Sequence, residues 1–196
     1  MAKSSVRALW KAKLEGSGGN SSRERTRAWE YDGRRRPFGG VVLGVDPSLR
    51  GTGLAVIELS GKGGAVLLHS TTVRMPRTAS MTDCLGAIFR GVAGCCETYD
   101  ILHLSLEQTI FVQNFQTAQI LGAARGAAMA AASLANKPVF EYAPLRIKQA
   151  VVGTGRASKE QVARSVMGLL GHGAILGADE ADAAGAALCH AFTYRP

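Results

Sequence analysis

Apolar positions are organised into short blocks from Val41 onward, and turn signals separate the blocks. Val41–Asp46, Gly53–Leu59 and Ala65–Arg74 read as strands. Gly51 and the run Gly61-Lys62-Gly63-Gly64 supply the turns between them, which predicts an antiparallel meander. Leu85, Ile88, Phe89, Val92 and Cys96 then fall on one stripe at helical spacing. Ile101–Leu106 is a nearly unbroken apolar run, the pattern of a strand covered on both faces. A long helix is predicted from about Asn114 to Leu134, a strand over Val139–Tyr142, and helices near Pro144–Val151, Ser158–Leu170 and Asp179–Thr193. Ser158 and Gln161 form a capping-box pattern at the second of these three. Three strands, then helix–strand–helix–strand, then helices imply an α/β fold: a mixed five-stranded sheet flanked by helices.

The long helix is rich in small residues: Gly122, Ala123, Ala124, Gly126, Ala127 and Ala128. Close packing on the sheet and a helix–helix dimer contact are both open readings of that stretch. Residues 1–39 follow no such pattern. They contain the linker-like Gly16-Ser17-Gly18-Gly19-Asn20, a short helix candidate at Val6–Leu14, and both tryptophans, Trp10 and Trp29. The expected organisation is a flexible basic arm over 1–39 and one folded domain over 40–196.

Charge sharpens that division. The chain of 196 residues carries a net +8, and residues 1–39 hold ten Lys/Arg against four Asp/Glu. The arm therefore accounts for +6 of the total, and the folded part is nearly balanced. A basic arm attracts polyanions, nucleic acid or an anionic membrane. Cys84, Cys95, Cys96 and Cys189 form no Cys-x-x-Cys pair, and their apolar neighbours suit buried thiols in a reducing compartment. No apolar run reaches the roughly 18 residues of a membrane span. The expectation is a soluble, cytoplasmic protein of bacterial type with no membrane partner.

Four acids carry the candidate chemistry. Asp46 and Glu107 each end an apolar run, and Asp179 and Asp182 sit three apart at the start of an alanine-rich helix. Carboxylates gathered near a core repel one another and lose hydration. A hard divalent cation, Mg²⁺ or Mn²⁺, compensates such a cluster. Paired ions held this way serve in-line displacement at phosphorus. A metal-dependent nuclease is the leading expectation. Each acid also has a plainer reading. Asp46 could simply initiate a turn before Pro47, and Asp179 and Glu180 could complement the helix dipole. His190 is expected in the core or on the surface rather than as a ligand.

The motifs resemble a known family in order and spacing. Leu43-Gly-Val-Asp-Pro-Ser-Leu-Arg-Gly-Thr-Gly53 is similar to the first-strand motif of the RuvC family of Holliday-junction resolvases. Glu107-Gln108 with Leu121-Gly-Ala-Ala-Arg-Gly126 resembles its second acidic motif and long helix. Phe140-Glu-Tyr-Ala143, Ile147-Lys-Gln-Ala-Val-Val-Gly153 and Ala178-Asp-Glu-Ala-Asp-Ala183 resemble its later segments. The resemblance covers Val41 to Phe192.

It implies a ribonuclease-H-like fold, a homodimer, and Mg²⁺-dependent paired nicking of four-way DNA junctions in recombination and repair. It further implies a branch-migration helicase complex as partner. By motif position Asp46, Glu107, Asp179 and Asp182 would be catalytic metal ligands for two Mg²⁺ ions, with Mn²⁺ as substitute. Lys148 and Lys159 match lysines that face DNA, and Arg156 adds charge beside them. The aromatic residue that would enter the junction falls at Phe111, one position after the strict match, Ile110. The arm is longer than the family usually carries.

Three other functions share some of these features. An actin-like or sugar-kinase ATPase has a similar Gly-x-Asp…Gly-Thr turn but needs a second lobe. A non-catalytic junction binder would not require all four acids. A nuclease of the same fold could act on RNA–DNA hybrids.

Overall fold

The computed structural model describes residues 38–61, 64–108, 114–171 and 176–195. The predicted arm up to residue 37, with its helix Val6–Leu14 and both tryptophans, lies outside the described residues, as do Ile110 and Phe111. The described residues all fall within one compact unit, 33–196.

Five strands form a single sheet: β1 (Gly40–Asp46), β2 (Gly51–Leu59), β3 (Ala65–Arg74), β4 (Ile101–Glu107) and β5 (Val139–Tyr142). Their order is β3-β2-β1-β4-β5. β1 to β3 form the antiparallel meander, while β1, β4 and β5 run parallel. Parallel neighbours require crossover connections. The helices α1 (Met81–Thr98) and α2 (Phe115–Leu134) lie in those connections.

β2 begins at Gly51 rather than Gly53, so Gly51 belongs to the strand and the turn is residues 47–50. Ser48 and Thr52 tie this turn. The Thr52 hydroxyl donates to the Ser48 carbonyl at 2.5 Å and accepts from the Ser48 N–H at 3.2 Å, and the Ser48 hydroxyl accepts from the Gly51 N–H at 3.1 Å. Arg50 reaches from the turn to the carbonyls of Pro76 and Ala79.

Strand periodicity divides the core in two. Leu43, Val45, Leu54, Val56, Leu104 and Leu106 point to one face, where α1 and α2 cover them with Ile88, Val92, Ala124 and Ala128. Burying each large side chain contributes roughly 1.5–3 kcal/mol. The small residues of α2 divide likewise: Ala124, Ala128, Ala131 and Ala132 are buried, whereas Gly122 and Gly126 have nothing within 4 Å of a Cβ position. One ion pair, Arg125–Glu141, joins α2 to β5.

The other face carries Val42, Ala55, Ile57 and Tyr142 under α3 (Pro144–Val152), α4 (Lys159–Leu170) and α5 (Ala178–Thr193). α3 opens on Pro144 and closes at Gly153, whose φ of 83° is left-handed. α4 has the complete capping box between Ser158 and Gln161. Among the described residues no helix is long and apolar enough to cross a membrane.

Candidate active site

Register brings the first two acids together. Val45 pairs with Leu106 in the parallel β1–β4 ladder, and both side chains face α1 and α2. The next residue on each strand, Asp46 and Glu107, therefore points to the opposite face. That face is covered by α5, whose first turns bring Asp179 and Asp182.

The helix reaches so close because the sheet has no side chains under it at two points. A Cβ on Gly44 would collide with the Ala183 carbonyl, and one on Gly53 with the Asp179 carbonyl. The α5 backbone thus rests directly on β1 and β2. Ser105, two residues before Glu107 on the same face, donates its hydroxyl to the Ala186 carbonyl at 2.7 Å. Farther along, the fully buried His190 is bonded through both ring nitrogens, to His103 at 2.8 Å and to the Tyr142 hydroxyl at 2.8 Å. Its burial, reinforced by His103, lowers its pKa to about 4. His190 is a core residue, as expected.

Electrostatics show that the four acids form one group. Burial, then Glu107, Asp182 and Asp179, push the Asp46 carboxyl up from 3.8 to about 7, against the pull of Lys159. Glu107 is raised by burial and by Asp182, while Lys159 and Lys148 oppose the shift. Glu180, between the two α5 aspartates, turns away: Ser70 donates to it at 2.9 Å and Thr72 at 3.4 Å. Asp179 and Asp182 are both half-buried.

Among the described residues no group of three or more His, Cys, Asp or Glu side chains is already drawn tightly enough to hold a metal ion. Mutual repulsion opposes tighter convergence, and Lys159 Nζ engages Asp182 Oδ2 at 3.3 Å. The donor chemistry nonetheless suits a hard divalent cation. All four groups offer carboxylate oxygens, and burial together with the neighbouring carboxylates holds Asp46 at the edge of ionisation near neutral pH.

Of the basic candidates, the structure brings Lys148 and Lys159 to the acids, since both act on Glu107. Arg156 is exposed on the connection from α3 to α4, where its N–H donates to the Thr154 hydroxyl at 3.4 Å. Sequence reasoning missed the Lys159–Asp182 pair, the Ser105 bond and the seating role of Gly44 and Gly53. The two glycines did leave a signal, because a glycine inside a strand marks close backbone approach.

A family described as crossover junction endodeoxyribonuclease RuvC matches residues 42–190. A relative of that name from Halorhodospira halophila is 43% identical over 150 residues, spanning 76% of this chain and 89% of its own length. Another, from Ralstonia pickettii, is 41% identical over 150 residues, 76% of this chain and 82% of its own. The structure of Thermus thermophilus RuvC in complex with a Holliday junction substrate superposes with a TM-score of 0.74 at 34% identity, covering 78% of this chain and 93% of that one.

Proposed function

Since the chain belongs to the RuvC family of crossover junction endodeoxyribonucleases, a Holliday-junction-resolving, metal-dependent family, we propose that Asp46, Glu107, Asp179 and Asp182 form its catalytic site. The observation that carries this reading is the convergence of β1, β4 and the first turns of α5 on Asp46, where burial and the three other carboxylates together lift its carboxyl to about 7.

Asp46, on the central strand, anchors the site, and Glu107 and the α5 pair complete it from either side. Two Mg²⁺ ions, or Mn²⁺ in their place, would supply an activated water and stabilise the departing 3′-oxygen. The products are a 5′-phosphate and a 3′-hydroxyl. Lys148 and Lys159 hold the DNA phosphates beside the acids, and Arg156 extends the basic margin. Phe111 is the proposed junction-entering residue and lies outside the described residues. A two-fold homodimer sets two such sites on symmetry-related strands of a four-way junction. Recombination and repair, with a branch-migration helicase as partner, are the setting this activity suits.

The test is cleavage of a labelled synthetic four-way junction with Mg²⁺, beside duplex, fork and RNA–DNA hybrid controls. Paired symmetric nicks that ligase reseals are expected. Asp46→Asn is expected to abolish cutting yet keep junction binding, because it removes a negative charge that repels DNA. Tight binding by the native chain without cutting in either ion would instead make it a junction-binding module. Preferential cutting of the hybrid would make it a nuclease of another substrate class.

A further inference from the structure

Lys159 stands in an unusual place for a lysine. It is the first residue of α4, directly after the N-cap Ser158. The positive end of the helix dipole disfavours a cation there. Glu160, the next residue, is the kind of side chain that position favours. The backbone at Lys159 is nevertheless held firmly. The Ser158 hydroxyl accepts from the Gln161 N–H, and the Gln161 side chain accepts from the Ser158 N–H at 2.8 Å.

From this fixed base the ammonium reaches 3.3 Å from Asp182 Oδ2, although its side chain is 78% exposed and that of Asp182 only 24%. The same ammonium also acts on Asp46 and Glu107. A single lysine thus neutralises part of the charge on three of the four acids and touches one of them. Lys148 differs. It acts on Glu107, but the Asp182 oxygen is engaged by Lys159.

We propose that Lys159 is a displaceable counter-ion of the acidic site, engaging an Asp182 carboxylate that a divalent cation would draw on. This rests on the reading that the four carboxylates hold such a cation. An exposed pair of this kind is weak, so the ammonium yields to a stronger competitor. Once freed, it is available to a DNA phosphate. Cation and junction binding are then coupled through one side chain, and each strengthens the other.

The experiment measures Mn²⁺ binding to the full chain by electron paramagnetic resonance of the free ion, without DNA. Lys159→Met is expected to bind Mn²⁺ about 2- to 5-fold more tightly than the native chain, the range of an exposed ion pair. Lys159→Arg, which keeps the charge and can reach Asp182, is expected near the native affinity. Lys148→Met separates contact from general charge and is expected to gain distinctly less than Lys159→Met. Circular dichroism checks that each variant is folded. Unchanged or weaker binding in Lys159→Met, or an equal gain in both methionine variants, overturns the proposal and leaves the acidic site standing. If the native chain shows no saturable Mn²⁺ binding, or Asp46→Asn binds as well as the native chain, the acidic-site reading falls and this proposal with it.

Discussion

Gly53 has no room for a methyl group, because the main-chain carbonyl of Asp179 lies where its Cβ would project. That contact sets the height of α5 above the sheet, and so the approach of Asp179 and Asp182 to Asp46. Gly44 does the same one strand away, under the Ala183 carbonyl.

Gly53→Ala must lift the first turn of α5. Overpacking of this kind costs about 1–3 kcal/mol, and a displacement of about 1 Å in a catalytic group can cost on the order of 100-fold in rate. The variant is expected to fold, melt earlier in urea, and lose most of its junction cleavage while still binding junctions. Native cleavage rates in a folded Gly53→Ala protein would show that the seating does not control the site.

Asp46 links the site to stability. Its carboxyl is raised in the folded chain from 3.8 to about 7. Between those values the folded state keeps a proton that the unfolded state has released, so this group's contribution to stability falls as pH rises from about 4 to about 7 and is flat above. Asp46→Asn removes that cost. Urea melts in a chelator are expected to find the variant more stable than the native chain at pH 8, by on the order of 2–4 kcal/mol, with the gap closing toward pH 4. A gap that does not change with pH would refute the coupling.

His190 makes the opposite contribution. Its folded pKa is depressed to about 4 from 6.5, so the unfolded state binds the extra proton between those values. Its share of stability is fully present above about 6.5 and is lost as pH falls toward 4. His190→Phe is expected to flatten that part of the urea-midpoint profile between pH 4 and 7. It should also destabilise the protein at pH 8 by about 1–3 kcal/mol, since the Tyr142 hydroxyl and the His103 ring lose a buried partner. A native-like slope in the variant would assign the acid sensitivity elsewhere.

The basic arm predicts a salt effect. Residues 1–39 carry ten basic side chains against four acidic ones. Each phosphate contact they make contributes about 0.9 to the slope of log affinity against log salt. Deleting 1–39 is expected to weaken junction binding and flatten that slope in fluorescence anisotropy titrations. An unchanged slope would mean that the arm does not track phosphates.

The sequence by itself determined the sheet and the helices, and it singled out the four acids as candidates. Strand alternation, the stripe on α1, the Ser158–Gln161 capping box and the apolar runs ending at Asp46 and Glu107 are local signals, each set by neighbours a few residues away. The family motifs then assigned the fold and the enzyme. Other features required the tertiary structure, because they arise between segments far apart in the chain. The meeting of Lys159 with Asp182, the Ser105 bond to α5 and the His103–His190–Tyr142 chain belong to no single segment. Asp46 is the clearest case. Its position was legible from one strand, but its pKa of about 7 is made by burial and by three carboxylates from β4 and α5. Charges act through space, and only the packed fold brings that space together.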